Sequence, residues 1–350
     1  MLGRMFVAVV PAQMAGQAIE EMLAGGLVDR SMKIQRSESE VFVPLASTIL
    51  PGSFVERFRI RVEEWDDRRR VVREAPYKEI GDSLEMQGLD RALIELLPDR
   101  WEMHGDVLIL KLDDRLAAEK AVIAKAYADV LRAKTVLRDK GIIRGEERVP
   151  EMETLLGDST EAVHCENGIL YCLDAAKIMF SSGNVGERTR MASVRCDGET
   201  VIDMFAGIGY LSLPLAVHGK PKAIYACEIR RLSYDYLLKN IAMNRVEGIV
   251  VPVLGDNRDF TPPQKADRII MGYLRDTYSF LGKALEMLRP GGMIHYHENY
   301  PNALLPDAPA ERLRRTAGDG WDVEVIEQRV VKTFAPGVSH IAVDARFTSS

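Results

Sequence analysis

Apolar and polar positions in residues 184–350 alternate between two patterns. VRCDGETVIDMFA, AIYACEI, IVVPVLGD and ADRIIMGYL are short runs rich in apolar and β-branched residues, and they predict four successive strands. The spacing predicts helices over 211–218 and 232–244, and another over 278–288 after the fourth strand. MIHYHE follows the turn Arg289-Pro290-Gly291-Gly292 as a fifth strand, and VEVIEQRVVKTF and HIAVDARF, joined by Ala335-Pro336-Gly337, predict a closing antiparallel hairpin. Strands alternating with helices at this spacing imply an α/β domain, a mostly parallel sheet with helices on both faces.

Upstream the pattern changes twice. FVAVV, an amphipathic segment over 12–27 and VFVPL read as strand, helix, strand, a unit too small to bury much core alone. The arginine-rich run over 57–74 reads as a solvated, ion-paired helix or connector. DVLILKL predicts a strand, 117–131 a helix, and VHCENGILYCLD two strands around the turn Glu166-Asn167-Gly168. The division expected is therefore a small α+β domain over 1–75, a middle α+β domain over 76–183 and the α/β domain over 184–350.

The strand ends carry the candidate chemistry, because ligands of open parallel sheets collect beyond the carboxyl ends of the strands. The first delivers Asp203, Phe205 and Gly207 into a Gly207-x-Gly209 turn, with Ser212 where a dinucleotide fingerprint has its third glycine. That glycine permits close helix–strand packing around a pyrophosphate, so its absence suits a cofactor with an adenosine and no phosphates, of which S-adenosylmethionine is the common case. The second strand ends in Glu228, 228 − 209 = 19 residues past the second glycine, the distance at which an acid holds a ribose diol. The third ends in Gly255-Asp256-Asn257, where a carboxylate and an amide can address an adenine amino group. Glu228 would suit the ribose of NAD equally well; Glu228 and Asp256 taken singly are also ordinary capping and turn residues.

Composition adds limits. The chain has 350 residues and a formal net charge of −6, against nonspecific nucleic-acid binding by the whole molecule. Locally, Lys120, Lys125, Arg132, Lys134, Arg138, Lys140 and Arg144 face only Asp129 and Asp139, which makes this stretch the candidate phosphate-contact surface. No apolar run reaches the length of a membrane span. Cys165, Cys172, Cys196 and Cys227 form no CxxC pair, so neither a metal site nor a disulfide framework is expected, and a cytoplasmic location is the default.

FSSGNVGERTR (180–190), VIDMFAGIGYLSLPLA, CEIRR, GDNRDF and VKTFAPGVSHIAVDARF together resemble one superfamily of archaeal and eukaryotic enzymes that modify tRNA at position 37. It contains the guanine-37 N1-methyltransferases and the wybutosine-pathway aminocarboxypropyltransferases. The resemblance covers most of 100–350 and implies a Rossmann-like class I S-adenosylmethionine-dependent fold. The methyltransferase branch is expected to carry Asn-Pro-Pro-Tyr at the end of strand four; Met271-Gly272-Tyr273-Leu274 and the FSSGN segment look like the aminocarboxypropyltransferase branch. Ser181, Arg188, Glu228, Asp256 and Asn257 are the cofactor residues so implied, with Arg188 a partner for a carboxylate. The implied reaction moves the 3-amino-3-carboxypropyl group of S-adenosylmethionine onto carbon 7 of 4-demethylwyosine in the anticodon loop of phenylalanine tRNA. No catalytic side chain is assigned, although Tyr273, His295 and His297 lie near strand ends where they could orient the base. The rivals are a tRNA guanine-37 N1-methyltransferase, a small-molecule methyltransferase, and an RNA-binding protein keeping a vestigial cofactor fold.

Overall fold

The computed structural model describes residues 5–29, 32–37, 39–46, 50–65, 75–144 and 149–349. Where three domains were expected, with boundaries at 75/76 and 183/184, the chain divides into two compact units, Met1–Ile94 and Glu95–Ser350.

The first unit holds a four-stranded antiparallel sheet in the order Gln35–Arg36, Glu40–Pro44, Met5–Pro11, Arg61–Trp65. Helix Ala15–Ala24 turns Ala15, Ala18 and Met22 into its core against Ala8, Val10, Val41 and Val43. The solvated helix expected over 57–74 is corrected in part, since Arg61–Trp65 is an edge strand. Charge suits an edge, where outward side chains discourage further pairing: Arg61 binds Glu40 and Glu63, while Trp65 is buried. The remainder of that run, 66–74, lies outside the described residues.

The second unit begins with a sheet ordered Trp101–His104, Val107–Leu110, Thr135–Arg144, Val149–Leu156. Helix Lys120–Leu131 makes the crossover between the two parallel strands Val107–Leu110 and Thr135–Arg144. The predicted hairpin follows, Glu161–Glu166 with Ile169–Asp174, its turn formed by Asn167 (φ 52°) and Gly168 (φ 78°), the positive φ values that two-residue hairpins require.

The remaining strands make one seven-stranded sheet. We number them β1 (Thr200–Asp203), β2 (Ala223–Glu228), β3 (Val250–Leu254), β4 (Ala266–Leu274), β5 (Leu288–Pro301), β6 (Trp321–Ala335) and β7 (Val338–Ser349). Their order is β3-β2-β1-β4-β5-β7-β6; β1 to β5 are parallel, and β7 runs antiparallel to both its neighbours. The side-chain alternation of a strand divides two cores. Val201 and Ile270 face the helices Ser212–His218 and Arg231–Met243, whereas Ile202, Ile269 and Met271 face Leu281–Met287 and Asp307–Ala317. Ile169, Tyr171, Leu173 and Phe180 share the first core, so the seam drawn at 183/184 runs through continuous packing. The order reverses between β1 and β4, and that crevice is where such a sheet takes a ligand. Among the described residues no helix is long and apolar enough to cross a membrane.

Candidate active site

β1 ends in a turn held from several sides. Asp203 is buried; its carboxylate accepts from the Phe205 N–H (3.1 Å) and from the Ser212 hydroxyl (2.5 Å), which ties the strand end to the following helix. Burial, reinforced by Glu228, pushes Asp203 up to about 6. Gly207 (φ 58°) and Gly209 (φ 98°) need conformations that side chains rarely adopt, and a Cβ on Gly207 would lie 2.5 Å from the Tyr210 ring. The absent third glycine is thereby explained locally, because Ser212 is used to hold Asp203.

Glu228, at the end of β2 and 9% exposed, reaches across to this turn. One carboxylate oxygen accepts from Gly207 N–H (2.8 Å), the other from Arg230 N–H (2.7 Å). Burial raises its pKa, and the two backbone donors oppose that shift. An ionised carboxylate has about four acceptor positions, so two remain for a pair of hydroxyls. Asn257, beyond β3, donates to the Met204 carbonyl (2.7 Å), while its buried Oδ1 has no protein partner. Asp256 is held by Arg258 through a two-pronged ion pair at 2.5–3.0 Å, which lowers its pKa. Phe205 stacks on Tyr273 (5.0 Å, 15°), which is 41% exposed at the end of β4. Asp203, Phe205, Gly207, Glu228 and Asn257 thus converge, with Asp256 beside them turned to its own arginine.

Ser181 and Arg188 enter differently. Arg188 is 2% exposed, and its fork is committed to Glu166, with two bonds of 2.6 Å, and to the Ser181 carbonyl (3.0 Å), over the face of Phe180. The expectation of a fork offered to a ligand carboxylate is corrected: a buried arginine needs a paired anion, and Glu166 supplies it. Ser181 Oγ accepts from Lys332 (2.6 Å) on β6. Tyr210 joins this segment to the glycine turn, its hydroxyl donating to the Met179 carbonyl (2.6 Å). Tyr210, Glu166 and Lys332 are not singled out by the sequence, and Ser212 is read there only as the replacement of a third glycine, not as the partner of Asp203.

His295 and His297 are each 2% exposed. His295 bonds Asp344 (2.6 Å) and accepts from Arg268 (2.7 Å), within a network of Glu187, Arg190, Arg329 and Asp344. His295 is thereby committed to protein partners, and the His297 Nδ1 meets His340 Nε2 (3.1 Å). The basic stretch is also altered by tertiary partners: Lys120 and Arg138 share Glu153, Lys134 meets Asp106, Lys140 meets Glu151, and Arg138 also meets Asp114. The local excess of positive charge is largely offset by acids distant in sequence. The four cysteines are free, with only Cys165 exposed.

Comparison with known proteins agrees with this geometry. Residues 162–326 match the TRM5/TYW2 methyltransferase domain, and residues 80–160 the TYW2 N-terminal domain. The chain is 49% identical, over 75% of its length and 94% of the relative's, to the tRNA(Phe) (4-demethylwyosine(37)-C(7)) aminocarboxypropyltransferase of Pyrococcus horikoshii. The chain belongs to the TRM5/TYW2 family. A crystal structure of P. horikoshii TYW2 in complex with MeSAdo superposes with a TM-score of 0.71 at 45% identity, covering 78% of this chain and 100% of that one. The tRNA (guanine(37)-N(1))-methyltransferase Trm5b of Pyrococcus abyssi is 33% identical over 92% of each chain. Its crystal structure gives a TM-score of 0.68 at 31% identity, covering 98% of this chain and 99% of that one. The similarity to Trm5b thus takes in the first unit as well.

Proposed function

We propose that this protein is a tRNA aminocarboxypropyltransferase, moving the 3-amino-3-carboxypropyl group of S-adenosylmethionine to carbon 7 of 4-demethylwyosine at position 37 of phenylalanine tRNA. The observation that carries the reading is the 49% identity across 94% of an enzyme named for that reaction, against 33% for the methyltransferase Trm5b. The end of β4 supports it: Gly272 and Tyr273 stand where an amide would grip a nitrogen being methylated.

The sulfonium supplies the leaving group. Carbon 7 attacks the γ-carbon of the methionine arm, the carbon–sulfur bond breaks with its electrons remaining on sulfur, methylthioadenosine leaves, and the proton on carbon 7 is lost to solvent. Which of the three sulfonium carbons reacts is set by orientation, which is the protein's contribution. Glu228 takes the ribose diol on its two remaining acceptor positions. Asn257 Oδ1, buried and unpartnered, accepts from the adenine amino group, with Asp256 beside it. Phe205 and Gly207 line the adenosine, and Asp203 fixes the turn through Ser212. Arg188, held by Glu166, positions the Ser181 loop at the methionine arm. The substrate contact is the anticodon loop, with Arg132 at the end of helix Lys120–Leu131 meeting a phosphate.

Incubation with S-adenosylmethionine and phenylalanine tRNA carrying 4-demethylwyosine, followed by chromatography of the by-product, tests this. Methylthioadenosine is expected. S-adenosylhomocysteine would reassign the chain to the methyltransferase branch, and neither product would remove it from both.

A further inference from the structure

A second recess lies on the other side of the Met179–Ser182 segment. It encloses about 770 Å³ within the second unit, between Trp101, Glu102 and His104 on one side and Ile178, Phe180 and Ser182 on the other, in the size range of ligand cavities. One short wall separates it from the glycine turn: the Met179 carbonyl is held by Tyr210, the Phe180 ring lies 5.7 Å from that of Tyr210, and Ser181 meets Lys332. On the recess side, Ser182 Oγ donates to Glu102 (3.1 Å).

Two features indicate what the recess takes. His104 is 3% exposed, yet its Nδ1 has no hydrogen-bond partner. Such a buried orphan is costly unless a ligand satisfies it. Desolvation lowers its pKa to about 4, so the ring is neutral and offers a lone pair or an N–H, not a charge. Trp101 is half-buried and braced edge-on against Tyr127 (5.9 Å, 84°), a fixed aromatic surface in the lining; the charges there are mixed, Arg100 and Lys111 beside Asp99, Glu102 and Asp139, with Lys111 paired to Asp139 (3.7 Å). A flat heteroaromatic ring with hydrogen-bonding edges meets both demands.

We propose that this recess binds a nucleobase adjacent to the acceptor base, unstacked from the RNA loop, with Trp101 as its stacking surface and His104 Nδ1 as a hydrogen-bonding contact. The proposal rests on tRNA being the substrate. The Met179–Ser182 wall then divides two neighbouring nucleotides, the acceptor on the cofactor side and its neighbour on the other. Bases must leave the stack for chemistry to reach them, and holding the adjacent base apart keeps the acceptor from restacking on it.

The test uses the full chain and an anticodon stem-loop RNA with 2-aminopurine placed in turn on each side of position 37. Unstacking raises 2-aminopurine fluorescence, so an increase on binding is expected at one flanking position. Trp101→Leu should abolish that increase and weaken RNA binding about five- to 150-fold, the range for losing one base–aromatic stack. Methylthioadenosine affinity by calorimetry should stay unchanged, and Trp101→Phe should restore both RNA readouts. RNA binding without an increase at either position, or Trp101→Leu behaving as wild type, overturns the proposal. Wild-type protein that binds no RNA instead overturns the tRNA reading beneath it.

Discussion

Replacing Glu228 tests the site most directly, because one carboxylate is asked to do two things. It accepts from the N–H groups of Gly207 at 2.8 Å and Arg230 at 2.7 Å, and it is assigned the ribose diol of S-adenosylmethionine. Hydrogen bonds to a charged acceptor contribute about 1.5–3 kcal/mol. Losing the diol contact in Glu228→Ala should therefore weaken cofactor binding by at least about 10- to 150-fold, the effect of one such bond at about 1.4 kcal/mol per tenfold. The variant also strands two backbone donors, at about 1–3 kcal/mol each if they remain dry, so its unfolding midpoint should fall too. Glu228→Gln separates the two effects. Its amide oxygen still serves one backbone donor, but its NH₂ faces the other, so it should recover part of the stability and little of the affinity. Calorimetric titration with methylthioadenosine, below the melting transition measured for each variant, gives the affinities. A folded Glu228→Ala protein binding within twofold of wild type would refute the diol assignment, and full affinity in Glu228→Gln would show that the charge is not used.

Three further outcomes follow from the same geometry. Asp203 titrates at about 6 when folded against 3.8 for the unconstrained acid, a raised value, so its ionisation opposes folding; the cost is absent below about pH 4, grows up to pH 6 and reaches about 3 kcal/mol above it. Asp203→Asn should gain stability relative to wild type between pH 5 and pH 8 in urea unfolding, and an identical difference at both pH values would contradict this. Gly207→Ala places a Cβ 2.5 Å from the Tyr210 ring at φ 58° and should cost about 1–3 kcal/mol while loosening cofactor binding; an unchanged melting temperature would count against that steric argument. Arg188→Ala leaves the Glu166 carboxylate without its cation and removes the cover over Phe180, so a loss of about 3 kcal/mol or more is expected by denaturant titration, with a shift under about 1 kcal/mol contradicting the buried pair.

Much of the catalytic half was legible because its signals are local. Each strand of the α/β domain is a short apolar run with its own turn residues, and Asp203, Gly207, Glu228 and Asn257 sit at or just beyond strand ends, so locating the strands located the site. The charge-rich run over 57–74 misled because Arg61–Trp65 carries no alternation to read: Val62 is exposed, only Trp65 is buried, and the segment is a strand through its pairing with Met5–Pro11. The basic stretch misled for a different reason. Charge counted along a window ignores acids arriving from other elements, and Asp106, Asp114, Glu151 and Glu153 all do so.

By itself the sequence determined the alternation of strands and helices, the glycine turn and the acids and amides at the strand ends, since backbone conformation and side-chain period act over a few residues. Only the tertiary structure decided that Arg188 is spent on Glu166, that Glu228 braces Gly207, and that one wall separates the cofactor side from a second recess. Those contacts join residues 21 or more positions apart. Such long-range pairs form only when burial brings the elements together, and no periodicity along the chain encodes which partner is met.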